Sequence, residues 1–273
     1  MKDTSDKIKN ITTWLNDSGF PLEMEVASIF QKNKCHIEQS HFFEDPETKV
    51  SREIDIFAGF TEEIFEKKIL HFRFFVECKS HKDKPWLAYL FPPNNIISHF
   101  PIPPLFLNAA ASEFLFPNCD EDEEVFHSIF SGRAPHCYAV NRAFTTGEDV
   151  AFKGITSSIK AAESSLLADH SEDWLYIQIY IPMVVISQEL YGVQLRADST
   201  LDVKRIPYSV LLTNQGQIGN RIGVIIMPKE NLMKYVQSAK KTFKRLLEYS
   251  KSEFRKLDRI HMKLRKDKLL GNE

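Results

Sequence analysis

The sequence predicts an α/β protein built on a mixed β-sheet. Two kinds of stretch predict it. Short runs dense in Val, Ile, Phe and Tyr have the composition and length of strands. Other stretches repeat their apolar residues at steps of three and four, the helical period. Their order adds a third observation: helices, a group of strands, another helix, more strands, then a long helical end. At 273 residues, 43% hydrophobic and 26% charged, the chain is long enough for one large domain or two small ones.

Taken in order, residues from about Ser5 to Asn16 read as a short helix with Ile8, Ile11 and Leu15 on one stripe, ending before Gly19. A second helix opens with Pro21 in its first turn. In it Glu23 shares the buried stripe of Val26, Ala27 and Phe30, while Glu25 falls on the wet face with Ser28 and Lys32. A first strand is expected over His36 to Phe43, with a turn at Asp45-Pro46-Glu47. The strands beginning at Ser51 and near Lys68 complete an antiparallel meander.

From Pro85 to Pro135 the texture changes, because eight of the chain's 13 prolines fall there. That density breaks regular structure and marks an irregular insertion over about 85–150. Within it Asp120 to Glu124 is an unbroken acidic run, read as a solvated loop, and Trp86 and Phe91 are aromatics that are either buried or available to stack on an unpaired base. Phe152 to Leu167 reads as a helix. Trp174 to Ser187 follows as a long apolar strand whose Pro182 suggests an edge or a bend. Leu190 to Leu195 returns across a tight turn, and two more strands lie at about Tyr208 to Leu212 and Gly223 to Met227. Lys229 to Lys268 reads as a long helix or helical pair, with Leu232, Val236, Ala239, Phe243, Leu246, Leu257, Ile260 and Leu264 on its apolar seam. The chain thus divides into an α/β domain over 1–228 and a basic helical segment over 229–273.

Three residues carry chemistry. Asp55 interrupts the apolar run Ile54, Ile56, Phe57, and an acid inside such a run needs a reason. In the next strand Phe72, Phe74, Phe75 and Val76 lead into Glu77, Cys78 and Lys79. Alternation along a strand puts Glu77 and Lys79 on one face and Val76 and Cys78 on the other. Charges removed from water cost several kcal/mol each unless they are paired or bind a metal. The plain alternative is a structural Glu77–Lys79 contact with Asp55 on an unrelated edge.

Here the chain resembles the PD-(D/E)XK, or restriction-endonuclease-like, nuclease superfamily. Asp55 stands for its first acidic motif, with Ile54 in place of the proline, and Glu77, Cys78 and Lys79 for its Glu-x-Lys, followed by Ser80. The resemblance covers roughly Gly19 to Lys82 and extends through a second helix and a strand to about Ser187. It implies a restriction-endonuclease-like core, a glutamate from the second helix (Glu23 rather than Glu25), and Mg²⁺ or Mn²⁺ held by Asp55 and Glu77. It further implies DNA as substrate, cut to a 5′-phosphate and a 3′-hydroxyl, with Lys79 acting on water and phosphate. The alternative for Glu23 is an acid complementing the helix dipole. The alternative for the protein is a nucleic-acid-binding or sensing module that does not cleave.

Charge is unevenly distributed. From Lys229 onward there are 14 Lys+Arg against 6 Asp+Glu, and before it 21 against 31. Two readings of the basic helix stay open: Lys240, Lys244 and Arg245 lie along a nucleic-acid backbone, or the helix packs within the chain or onto a homodimer or partner subunit. Lys82, Lys84, Lys153 and Lys160, with Ser157 between the last two, are the other candidates for phosphate. The first ten residues lack an apolar signal core, no run reaches membrane-spanning length, and four cysteines without CxxC spacing point to a reducing cytoplasm. No GxxxxGK[ST] loop is present.

Overall fold

The structure, a computed structural model, describes residues 2–80, 84–92, 106–115, 135–145, 150–168, 173–214 and 222–269. Its eleven strands are β1 (His36–Glu44), β2 (Ser51–Phe65), β3 (Lys68–Lys79), β4 (Trp86–Leu90), β5 (Phe106–Leu107), β6 (His136–Arg142), β7 (Leu175–Ile186), β8 (Leu190–Leu195), β9 (Leu201–Arg205), β10 (Ser209–Thr213) and β11 (Ile222–Pro228). The helices are α1 (Lys2–Asp17), α2 (Phe20–Lys32), α3 (Ala109–Leu115), α4 (Val150–Leu167), α5 (Lys229–Ser252) and α6 (Phe254–Leu269). All the strands join one mixed sheet in the order β1-β2-β3-β7-β11-β10-β6-β4-β8-β9, with β5 paired to β7 off this path.

The central strands are apolar on both sides because both sides are covered. Along β7, Ile177, Ile179, Ile181, Met183 and Val185 enter one core, while Tyr180, Val184 and Ile186 enter the other. The first core is closed by α2, α3, α5 and α6, through Phe30, Phe114, Phe243 and Leu257 among others. The second is closed by α4, through Ala151, Ile155, Ile159 and Ala162. The basic C-terminal stretch is therefore a helical pair whose apolar seam is buried on the sheet.

The sheet is strongly curled. Ile186 and Leu190 are four residues apart, a span of at most about 14 Å. Yet β8 stands five places from β7 in the strand order, which in a flat sheet would be about 24 Å. The far wing must turn back toward β7, and Trp86 N donates to Glu189 O at 2.9 Å at that return. The second core is the inside of the curl, so Trp86 and Leu190 share it with Phe43 and Ile54.

Several sequence expectations are corrected. Residues 190–195 do not form a hairpin with β7; β8 pairs with β4 in parallel and β9 antiparallel. The described part of 85–150 contributes β4, β5, α3 and β6 to the main architecture, because its prolines fall largely between these short elements. Pro182 lies in a central strand, between Ile179 and Tyr180, which β5 pairs, and Met183, where pairing with β11 begins. A residue without an N–H is tolerated in that gap. Of the two readings of Trp86, burial holds, and its ring has no free face for a base. The apolar stripe of α1 exists, but Ile8, Ile11, Trp14 and Leu15 are exposed on it. The acidic run at 120–124 lies outside the described residues, and no described helix is long and apolar enough to cross a membrane.

One buried charge ties α4 to the meander. Asp45, fully buried in the β1–β2 turn, accepts the Glu47 and Thr48 N–H groups and pairs with Arg52 and Lys160. Burial alone would raise its carboxyl, but the Thr48 N–H, the Lys160 ammonium and the Glu47 N–H hold it well below the usual aspartate range. A depressed folded-state value stabilises the fold above the ordinary aspartate pKa and loses that contribution as pH falls through it. Asp45→Ala should destabilise by about 2 kcal/mol at pH 7, because it leaves the Glu47 and Thr48 N–H groups without their acceptor and Lys160 with Glu47 alone. Urea unfolding between pH 7 and 3 should show a shallower acid loss in this variant than in wild type.

Candidate active site

Asp55, Glu77 and Lys79 meet where β2 and β3 part. The antiparallel ladder runs from Phe65↔Lys68 to Ile56↔Val76. One residue further, Asp55 Oδ2 takes over as acceptor and receives the Cys78 N–H at 2.6 Å. The side chain thus replaces a backbone carbonyl just where the strands diverge. Ile54 and Ile56, on either side, are fully buried and hold the strand in place, leaving Asp55 half-buried between them.

On β3 the alternation expected from the sequence is present. Val76 and Cys78 enter the first core, whereas Glu77 and Lys79 project under α4 on the inside of the curl. The Lys79 ammonium donates to Glu77 Oε1. The other oxygen, Glu77 Oε2, is buried without a hydrogen-bond partner. Pairing with β7, Glu77↔Val184 and Lys79↔Ile186, stiffens the strand from its other edge.

Electrostatics set this group apart. Burial raises the Glu77 carboxyl from 4.5 to about 7, the Asp55 charge adds to the rise, and Lys79 and the nearby Ser157 hydroxyl oppose it. Asp55 is raised too, by burial first, against the Cys78 N–H and the Lys79 charge. Glu23 is raised by burial and then by the charges of Asp55 and Glu53. The Asp55 charge therefore acts on both Glu77 and Glu23 at the sheet end, with Lys79 among them. Glu25, by contrast, is exposed and paired with Lys229 on α5.

The sequence points to Ser157 on its helix as a group near phosphate, whereas Glu53 and Gly154 were not anticipated as parts of this site. Glu53 had a signal, since it precedes Asp55 by two residues on one strand. Gly154 had none, because its role depends on how α4 crosses β3. A β-carbon there would lie 3.0 Å from Lys79 Cε and 3.5 Å from Glu77 Cγ, so the glycine makes the space in which both side chains sit.

The basic candidates are not gathered here in the same way. Lys160 is engaged by Asp45 and Glu47. Lys240 donates to Asn33 O at the far end of α2, ten residues from Glu23 and so about 15 Å along the helix. Since α5 starts beside Glu25 and passes Asn33, it runs away from the carboxylates, and the exposed Lys244 and Arg245 lie further on. Lys153 is exposed on α4 next to Gly154, Lys84 is half-buried just before β4, and Lys82 lies outside the described residues.

The donor set suits a hard cation in part. Asp55 and Glu77 offer two carboxylates, one with an unpartnered buried oxygen, and Mg²⁺ needs one or two alongside waters and phosphate. Among the described residues no three His, Cys, Asp or Glu side chains converge closely enough to hold a metal by themselves. No protein-family model, curated protein or solved structure matches the chain.

Two outcomes follow. Because the folded-state value of Glu77 is raised, its contribution to stability is fully present below about pH 4.5 and is lost as pH rises through about 7. In metal-free buffer, Glu77→Gln should therefore melt above wild type at pH 8 and lose that advantage at pH 4. Gly154→Ala should gain up to about 1 kcal/mol of helix propensity while displacing Lys79 from Glu77. NMR of the Lys79 side chain, beside a thermal melt, separates those effects.

Proposed function

We propose that this protein is a metal-dependent nuclease that hydrolyses DNA phosphodiester bonds on a restriction-endonuclease-like core. One observation carries the reading: Asp55, Glu77 and Lys79 converge at the parted end of β2 and β3, with Glu77 Oε2 buried and unpartnered. A dry, unpaired carboxylate oxygen beside a second raised carboxyl is costly unless a cation completes it.

In this reading Asp55 and Glu77 hold Mg²⁺ or Mn²⁺. A bound divalent cation shields the phosphate charge and favours ionisation of an attacking water. Lys79, supported by β7 and given room by Gly154, orients that water and offsets charge developing on the phosphoryl oxygens. Glu23 holds further water at the rim of the site. The β2–β3 geometry keeps the two acids fixed, since Asp55 is tied to the Cys78 N–H and Glu77 is fixed by β3. Products carry a 5′-phosphate and a 3′-hydroxyl.

Among the described residues no third acidic side chain joins Asp55 and Glu77 closely enough to hold a metal with them, which favours, as a second reading, a module that binds nucleic acid without cutting it. A panel of labelled duplex, nicked, branched and single-stranded DNA with Mg²⁺ or Mn²⁺ separates the two. Wild type should cleave, and Asp55→Ala and Lys79→Ala should each lose on the order of 10²-fold or more while remaining folded. Salt-sensitive binding by wild type with no change in DNA length would support the binding module instead.

A further inference from the structure

The sheet ends on an open edge. Among the described residues β9 pairs with β8 alone, as the last strand in the order. It is short and carries Asp202, Lys204 and Arg205, but its other side chains are apolar and exposed. Leu201 is 66% exposed and Val203 52%, and Leu195, the β8 partner of Leu201, is 65% exposed beside them. Long or apolar edges invite pairing with another chain.

The backbone dictates how such pairing would run. Ile206 N donates to Leu190 O and Arg196 N to Thr200 O, so the even-numbered residues at this hairpin turn their backbone groups toward β8. Leu201, Val203 and Arg205 consequently turn theirs outward. Two copies of β9 laid antiparallel about a two-fold axis can join outward residues only in a few registers. Centred on residue 202, the pairing sets Asp202 against itself; centred on 204, it sets Lys204 against itself. Like charges directly opposed are destabilising.

Centred on Val203, every group agrees. Val203 meets Val203 of the second copy as a hydrogen-bonded pair, and Leu201 meets the aliphatic stem of Arg205. Asp202 then faces Lys204 of the second copy twice, at non-hydrogen-bonded positions where side chains approach most closely. Within one chain Asp202 already takes Arg196 at 2.7 Å and Lys204 at 2.8 Å, so pairing would give each Asp202 a further cation, Lys204 of the second copy, across the axis. We propose that this protein forms a two-fold dimer through β9, in the register that centres on Val203. Its partner is a second copy of the same chain, and the interaction is independent of the carboxylate site.

The test is the mass of the full chain by analytical ultracentrifugation from about 1 to 200 µM, the range suited to a small edge interface. Wild type should approach twice the chain mass. Lys204→Glu and Asp202→Lys each place like charges across the axis and should weaken the dimer roughly tenfold or more. The double variant Asp202→Lys with Lys204→Glu restores opposite charges and should return to within about threefold of wild type. A damaged β9 would not be rescued in this way. A monomeric wild type, a dimer indifferent to both single changes, or a double variant no tighter than either would overturn the proposal.

Discussion

A carboxylate buried next to another carboxylate is the constraint around which this molecule is arranged. Glu77 projects from a strand between the buried Val76 and Cys78, and Asp55 stands across the opening from it. The surroundings answer that cost in three ways. A lysine two residues along the same strand donates to one oxygen, a backbone N–H satisfies the aspartate, and a helix presents a glycine so that none of these groups is pushed aside. One oxygen remains without a protein partner. In the proposed reading a bound cation completes that oxygen.

Much of this half of the fold was legible because its signals are local. Alternation put Glu77 and Lys79 on one face, the β1–β2 turn followed from Asp45-Pro46-Glu47, and helical period separated Glu23 from Glu25. The remainder depends on tertiary context. No local pattern says that 86–90 and 136–142 pair with each other, or that the residues after β7 leave their neighbour for the opposite wing. Pro182 misled for the same reason: a proline's tolerance depends on what lies beside the strand. Gly154 is silent in sequence, since a lone glycine in a helical stretch reads as a weakness until the facing strand is known.

The C-terminal helices illustrate how charge and period answer different questions. Their period correctly marked the residues that would be buried, from Leu232 to Ile260. Their charge counted lysines without locating them. Lys240 closes the end of α2 and Lys68, on β3, is matched by Asp258 of α6, so part of the ionic character of this region is internal bracing. The exposed remainder forms a surface distinct from the carboxylate site.

The short link between β7 and β8 has a consequence for how the chain comes to be folded during synthesis. Of the four strands lying between them in the sheet, β4 and β6 are made earlier, whereas β10 and β11 are made later. A ribosome that has released β8 has therefore not yet produced the strands that join it to the first half. Until Pro228 and the helix after it have emerged, the meander bearing Asp55 and Glu77 and the wing bearing Trp86 are two unfinished pieces. Their apolar faces wait on the last fifth of the protein, which favours late, cooperative closure over stepwise assembly.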